Sequence, residues 1–170
     1  YISIRFHISF GICSVLCLLH DVLLMTSFMT ISRVEVDSMF IAAVLAIIGY
    51  SINNTIVVFD RIRENLNGKN ISKLTDKEIT DVANISMKQT ALRSIYTSLT
   101  TIIPVIALII LGSREVLSFN LAMTVGLIAG TYSSLFIAPL LWTKFAKLGY
   151  NKKQKIYSEK TEKTITGIND

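Results

Sequence analysis

Apolar residues along this chain gather into long stretches that charged residues scarcely enter, at 6–19, 22–32, 38–59, 94–113 and 116–143. Only His20 and Asp21 part the first two, and neither is long enough alone to cross a membrane, so together they read as one helix over 6–32. At about 1.5 Å per residue, the stretch 38–59 covers roughly 33 Å, against a hydrocarbon core of about 30 Å. The pattern therefore predicts an all-α, polytopic transmembrane helix bundle with spans at 6–32, 38–59, 94–113 and 116–143. The last is long enough to tilt or to emerge among the headgroups.

The connection 60–93 carries its own helix signal. Thr75, Asp76, Lys77 and Glu78 fit a capping box and precede Ile79, Val82, Ala83 and Ile85 at helical spacing. An amphipathic helix over about 76–91 on the inner membrane surface is expected, able to run straight into the third span. Upstream, Asn67-Gly68-Lys69-Asn70 reads as a turn. Residues 1–146 thus form the bundle, and the Lys-rich stretch 147–170, with little apolar periodicity, reads as a disordered cytoplasmic tail.

Composition sharpens the class. Apolar residues make up 51% of the 170 and charged residues 17%, with a mean hydropathy of +0.53, which excludes a soluble globular domain, a disordered chain and a disulfide scaffold. Lys and Arg are placed unevenly: one in each of the turns 33–37 and 114–115, seven in 60–93, seven from Lys144 onward, and Arg5. By the positive-inside rule both ends of the chain and the long connection face the cytoplasm. The net charge of +5 is an orientation signal and an attraction to membrane lipid, with no aromatic interleaving of the kind nucleic-acid modules show. A start at Tyr1 within an apolar phrase is the pattern of a piece of a longer chain, without a signal peptide. Cys13 and Cys17, four apart on one helix, read as reduced packing residues.

In lipid every polar group needs an internal partner, so residues that break the hydrophobic rule mark candidate sites. Asp21 near mid-membrane must face protein or a water path. With His20 it is either a proton-relay or conformational group, or a hydrogen-bonded pair that locks helix packing. The second span ends in a polar cluster, 49–55, containing Asn53, Asn54 and Thr55; the two amides point about 100° apart and cannot share one partner. Asp60, Arg61, Arg63 and Glu64 follow, with ordinary helical pairing of Asp60 to Arg63. Arg93 opens the third span and either snorkels to the surface or reaches the amide cluster. Thr97 and Ser98 lie beyond it, and Pro104 predicts a kink. Gly126 and Gly130 permit close helix approach in the fourth span. His7 and His20 lack a second ligand at metal spacing, and neither a nucleophile constellation nor a phosphate loop occurs, so no metal, cofactor or enzyme is implied. Work by such a chain would draw on an ion gradient.

GYSINNTIVVFDRIRENL at 49–66, LLHDVLL at 18–24, TSLTT at 97–101 and GTYSSLFIAP at 130–139 resemble, in order and spacing, the C-terminal membrane half of the SecF family. That family partners SecD in bacterial protein export and belongs to the resistance-nodulation-division superfamily. The resemblance implies four spans of an expected six, a place in the bacterial cytoplasmic membrane, and action with SecD and the SecYEG channel on preproteins, driven by the proton gradient. It also implies that Arg93 is the family's functionally important arginine and that Asn54 stands where the motif GYSxND has its acid. An amide exchanges no proton near neutral pH. The proton step is then lost, moved to Asp21 or, as the resemblance favours, carried by the SecD half, with Asn54 a hydrogen-bond partner of Arg93. The alternatives are a non-titrating scaffold for SecD and the channel, or a small-molecule efflux transporter of the same superfamily, against which the wording of 49–65 speaks.

Overall fold

The computed structural model describes residues 8–66 and 74–146. Three long helices come first: α1 at Ile8–Ile31, α2 at Ser38–Leu66 and α3 at Asp76–Leu111. After a 3-10 turn at Arg114–Val116, α4 runs over Leu117–Tyr132, opens into a π segment at Ser133–Ile137 and resumes as helix to residue 146. Four helical stretches are long and apolar enough to cross a membrane. The protein is an all-α transmembrane bundle. The turn at 67–70 and the tail 147–170 lie outside the described residues, as do Arg5 and His7.

Two of the helices are longer than the apolar runs that announce them. α2 continues through the charged phrase 60–66, because Asp60 to Leu66 contains no breaker and Ile62 and Leu66 remain on its buried face. α3 joins the amphipathic segment to the third span in one 36-residue helix. It opens with the capping box, in which the Thr75 N–H donates to the Glu78 carboxylate at 2.7 Å. It carries through Pro104 without a break. Along it Ser86, Thr90, Ser94 and Ser98 recur every four residues on the buried face, and Ser86, Thr90 and Ser98 each bond a carbonyl of the preceding turn.

The tight turns sit together at the opposite end from the charged phrase. Arg33 takes a left-handed φ of 52°, and the Val34 N–H closes back on the Met29 carbonyl at 3.1 Å, the wrapped end that usually uses glycine. Asp37 caps α2, accepting from the Phe40 N–H at 3.0 Å and from the Ser118 hydroxyl of α4 at 3.2 Å.

Two apolar cores fill the bundle. At the turn end Met25, Met29, Phe40, Ala43, Ile47, Ala122 and Leu127 pack together; at the charged end Cys13, Cys17, Val58, Phe59, Ile79 and Trp142 do so, with Phe10 stacked on Trp142 at 5.4 Å. Both cysteines are free thiols. Between the two cores lies a layer of polar residues.

The π segment was not signalled as such by the apolar run 116–143, and its cause is local. Pro139 has no N–H to donate to the carbonyl four residues back, and its ring crowds that carbonyl. A widened turn, in which the Ala138 N–H reaches the Ser133 carbonyl five residues back, accommodates the ring.

Candidate functional site

The polar layer is built on a glycine seam. α4 lies so close to its neighbours that a Cβ on Gly126 would stand 2.6 Å from Ile47 Cγ1 and 2.7 Å from Met25 Sδ. One turn on, a Cβ on Gly130 would stand 3.3 Å from Ser51 Cβ and 3.6 Å from Asp21 Oδ2. A Cβ at Gly126 would force Ile47 and Met25 to shift, and one at Gly130 would need Ser51 to give by a few tenths of an ångström, so bulkier side chains at these places work against the close approach of α4 to α1 and α2.

Closeness at Gly130 brings three helices onto one carboxylate. Asp21, on α1, is 1% exposed. Its Oδ2 accepts from the Ser51 hydroxyl of α2 at 2.6 Å and from the Ser133 hydroxyl at the start of the π segment at 2.8 Å. Its Oδ1 lies 3.2 Å from His20 Nδ1, whose ring is about a third exposed. Asp21 stands ten residues, roughly 15 Å, from the turn end of α1, so the group lies near mid-membrane. A carboxylate there is costly unless hydrogen-bonded, and two short bonds from hydroxyls are the compensation. Cys17 sits on the same seam, with Sγ 3.9 Å from the Ser133 carbonyl.

Beside this clamp runs a second set of hydroxyls. Tyr50 OH and Ser98 Oγ are 2.7 Å apart, Ser98 Oγ and Thr131 Oγ1 are 2.5 Å apart, and Thr131 bonds the Leu127 carbonyl. If Tyr50 donates to Ser98 and Ser98 to Thr131, the chain ends on the Leu127 carbonyl and Ser98 has no hydrogen left for the Ser94 carbonyl 2.8 Å away, which it bonds only in the alternative arrangement. The chain of hydroxyls pins α2, α3 and α4 together and leads nowhere further.

The expected bond between Asn54 and Arg93 does not form. Asn54 is 5% exposed and its Nδ2 has no hydrogen-bond partner among the described residues. Arg93 is exposed and looks into a cleft of about 410 Å³ lined also by Ile56, Val57, Asp60, Arg61, Glu64, Gln89 and Thr90. Helix register and facing are the reasons. α2 and α3 run antiparallel, with Tyr50 meeting Ser98 and Arg61 Nε donating to Gln89 at 2.7 Å. Arg93 therefore lies level with about Ile56, some two residues or roughly 3 Å nearer the charged end than Asn54, and it stands on an exposed face of α3 while Asn54 is buried. Asn53 is exposed, Thr55 is buried, and exposed Thr97 bonds the Arg93 carbonyl of its own helix. At the charged end Arg61 pairs with Glu64, and Asn65 donates to Ser86 at 2.8 Å.

Of the residues singled out from sequence, the structure thus joins His20 and Asp21 to Gly130, places Ser98 in the adjoining chain, and leaves Asn54 and Arg93 apart. It adds Ser51 and Ser133, which the sequence marks only as the serines of GYS and TYSS within polar clusters.

Known proteins share this fold. The family described as protein export membrane protein SecD/SecF, C-terminal, matches residues 1–148. The Bacillus subtilis protein translocase subunit SecDF is 46% identical over 142 residues, covering 84% of this chain and 19% of that protein. The Rickettsia typhi protein translocase subunit SecF is 44% identical over 153 residues, covering 90% of this chain and 48% of that one. The chain spans about half the length, or less, of these relatives. A crystal structure of SecDF in its super-membrane-facing form superposes with a TM-score of 0.79 at 38% identity, over 94% of this chain and 21% of that one. The SecDF structure from Thermus thermophilus, described as a translocon-associated membrane protein, gives 0.78 at 39%, over 86% and 20%. With 148 of its 170 residues matched by the family and its four-helix arrangement shared with those structures, this chain belongs to the SecD/SecF C-terminal family of protein export membrane proteins.

Proposed function

We propose that the chain is the C-terminal membrane half of a SecF-type translocase subunit, working with a SecD-type half and the SecYEG channel to move preproteins across a bacterial cytoplasmic membrane. The charged end, with seven Lys and Arg in 60–93, faces the cytoplasm in this reading, and so does the tail from Lys144.

The proton step in this half belongs to Asp21. The observation that carries this is the clamp itself: a buried carboxylate bonded by Ser51 and Ser133 from two other helices, with a partly exposed His20 at its side. A proton taken up by such a carboxylate weakens both serine bonds at once, so its binding biases the packing of α2 and α4 against α1. Asn54 offers no such exchange and has no bond to Arg93 to break. Export of a secreted reporter in cells carrying Asp21→Asn tests this: export falls while the protein remains in the membrane at its normal level. Normal export in that strain contradicts the assignment. A non-titrating scaffold is the second reading, favoured by Asn54 and by the exposure of Arg93, and it predicts that normal export.

A further inference from the structure

A groove of about 400 Å³ runs between α3 and α4, lined by Lys88, Ile95, Leu99, Ile102, Tyr132 and Phe136 among others. Its walls are mostly hydrocarbon, and two of the hydroxyl residues lining it, Ser98 and Thr131, are bonded to each other. Apart from Lys88 at one end and the Tyr132 hydroxyl, the groove offers a ligand hydrocarbon contact. From Lys88 to Ile102 the groove follows α3 for about 21 Å, more than the roughly 15 Å depth of one leaflet's hydrocarbon.

The two flanks of α3 are chemically opposite. At 100° per residue, exposed Thr97 and Thr100 lie within about 40° of Arg93. Lys88, Ile95, Leu99 and Ile102 lie about 180–240° away from it. Lipid rejects the Arg93 flank, so a protein partner belongs there; the groove faces the other way, where lipid is the solvent. Lys88 is exposed at its charged end, where the headgroups lie.

We infer that this groove holds one acyl chain of an anionic phospholipid, with its headgroup phosphate on Lys88. The site rests on the membrane placement of α3 and α4 and is independent of the proton step at Asp21.

The test uses the full-length protein in vesicles of phosphatidylglycerol and phosphatidylethanolamine, followed by extraction and mass spectrometry of the retained lipid. Phosphatidylglycerol is expected to be enriched about fivefold over the bulk mixture, equivalent to the ~1 kcal/mol that one lysine contributes beside an anionic lipid surface. Lys88→Gln abolishes that preference, and Ile95→Trp, which fills the groove from a lipid-exposed position, removes the retained lipid. Equal retention in all three proteins overturns the site. A photoreactive benzophenone side chain at position 99, in cells, settles the occupant independently of any folding defect: lipid adducts support the inference, and a polypeptide adduct contradicts it.

Discussion

Two polar groups lie about one helical turn apart in α2 and are treated by the fold in opposite ways. Ser51 is fully buried, and its hydroxyl completes a clamp to which α1, α2 and α4 all contribute. Asn54 is almost as deeply buried and its amide nitrogen has no partner among the described residues. Burial alone therefore does not bring a polar group its partners in a membrane bundle. What distinguishes the clamp is a carboxyl acceptor, Asp21, that several helices have been brought close enough to reach, and glycine at 126 and 130 is what permits the approach.

The sharpest way to break this contrast is to remove the seam. Gly126→Val should force α4 off Ile47 and Met25 at a cost of about 3 kcal/mol or more, seen as lost expression or a collapsed unfolding transition in detergent. Next in size is Asp21→Ala, which leaves the buried Ser51 and Ser133 hydroxyls without their acceptor and should cost about 2–3 kcal/mol in the same assay. Arg93→Ala, by contrast, should change stability by less than about 0.5 kcal/mol, since the exposed guanidinium looks into an open cleft. Should Arg93→Ala prove as damaging to stability as Asp21→Ala, the two regions are not different in kind.

The fold was largely legible in the hydrophobic pattern, because four apolar runs separated by charge clusters admit little besides a helical bundle. Helix ends were less so: 60–66 reads as an exit from the membrane, yet Ile62 and Leu66 keep α2 packed. The site was half legible. A lone Asp21 in an apolar run announces itself, but its partners lie 30 and 112 residues away and are serines, common in any membrane helix. Asn54 and Arg93 misled for the opposite reason. Their types invite pairing, but Asn54 is buried on α2 while Arg93 lies slightly nearer the charged end on an exposed face of α3. The π turn at Ser133 likewise follows from Pro139 and not from any periodicity.

Smaller effects refine the same comparison. Asn54→Leu replaces an unpartnered amide with an apolar group of similar size and should stabilise the bundle by about 1 kcal/mol in thermal unfolding. A destabilised Asn54→Leu variant means that the amide has a partner in the assembled protein. At the turn end, Arg33→Gly relieves a left-handed backbone and should add about 0.5 kcal/mol, with no change in export.

Asp21 is the residue to which we assign the proton step of this half. Proton flux measured in vesicles containing the complete translocase, under an imposed pH gradient, tests it most directly. Asp21→Asn is expected to reduce flux strongly, while Asn54→Asp leaves it unchanged or raises it. Undiminished flux in the Asp21→Asn vesicles contradicts the account and leaves Asp21 a packing residue.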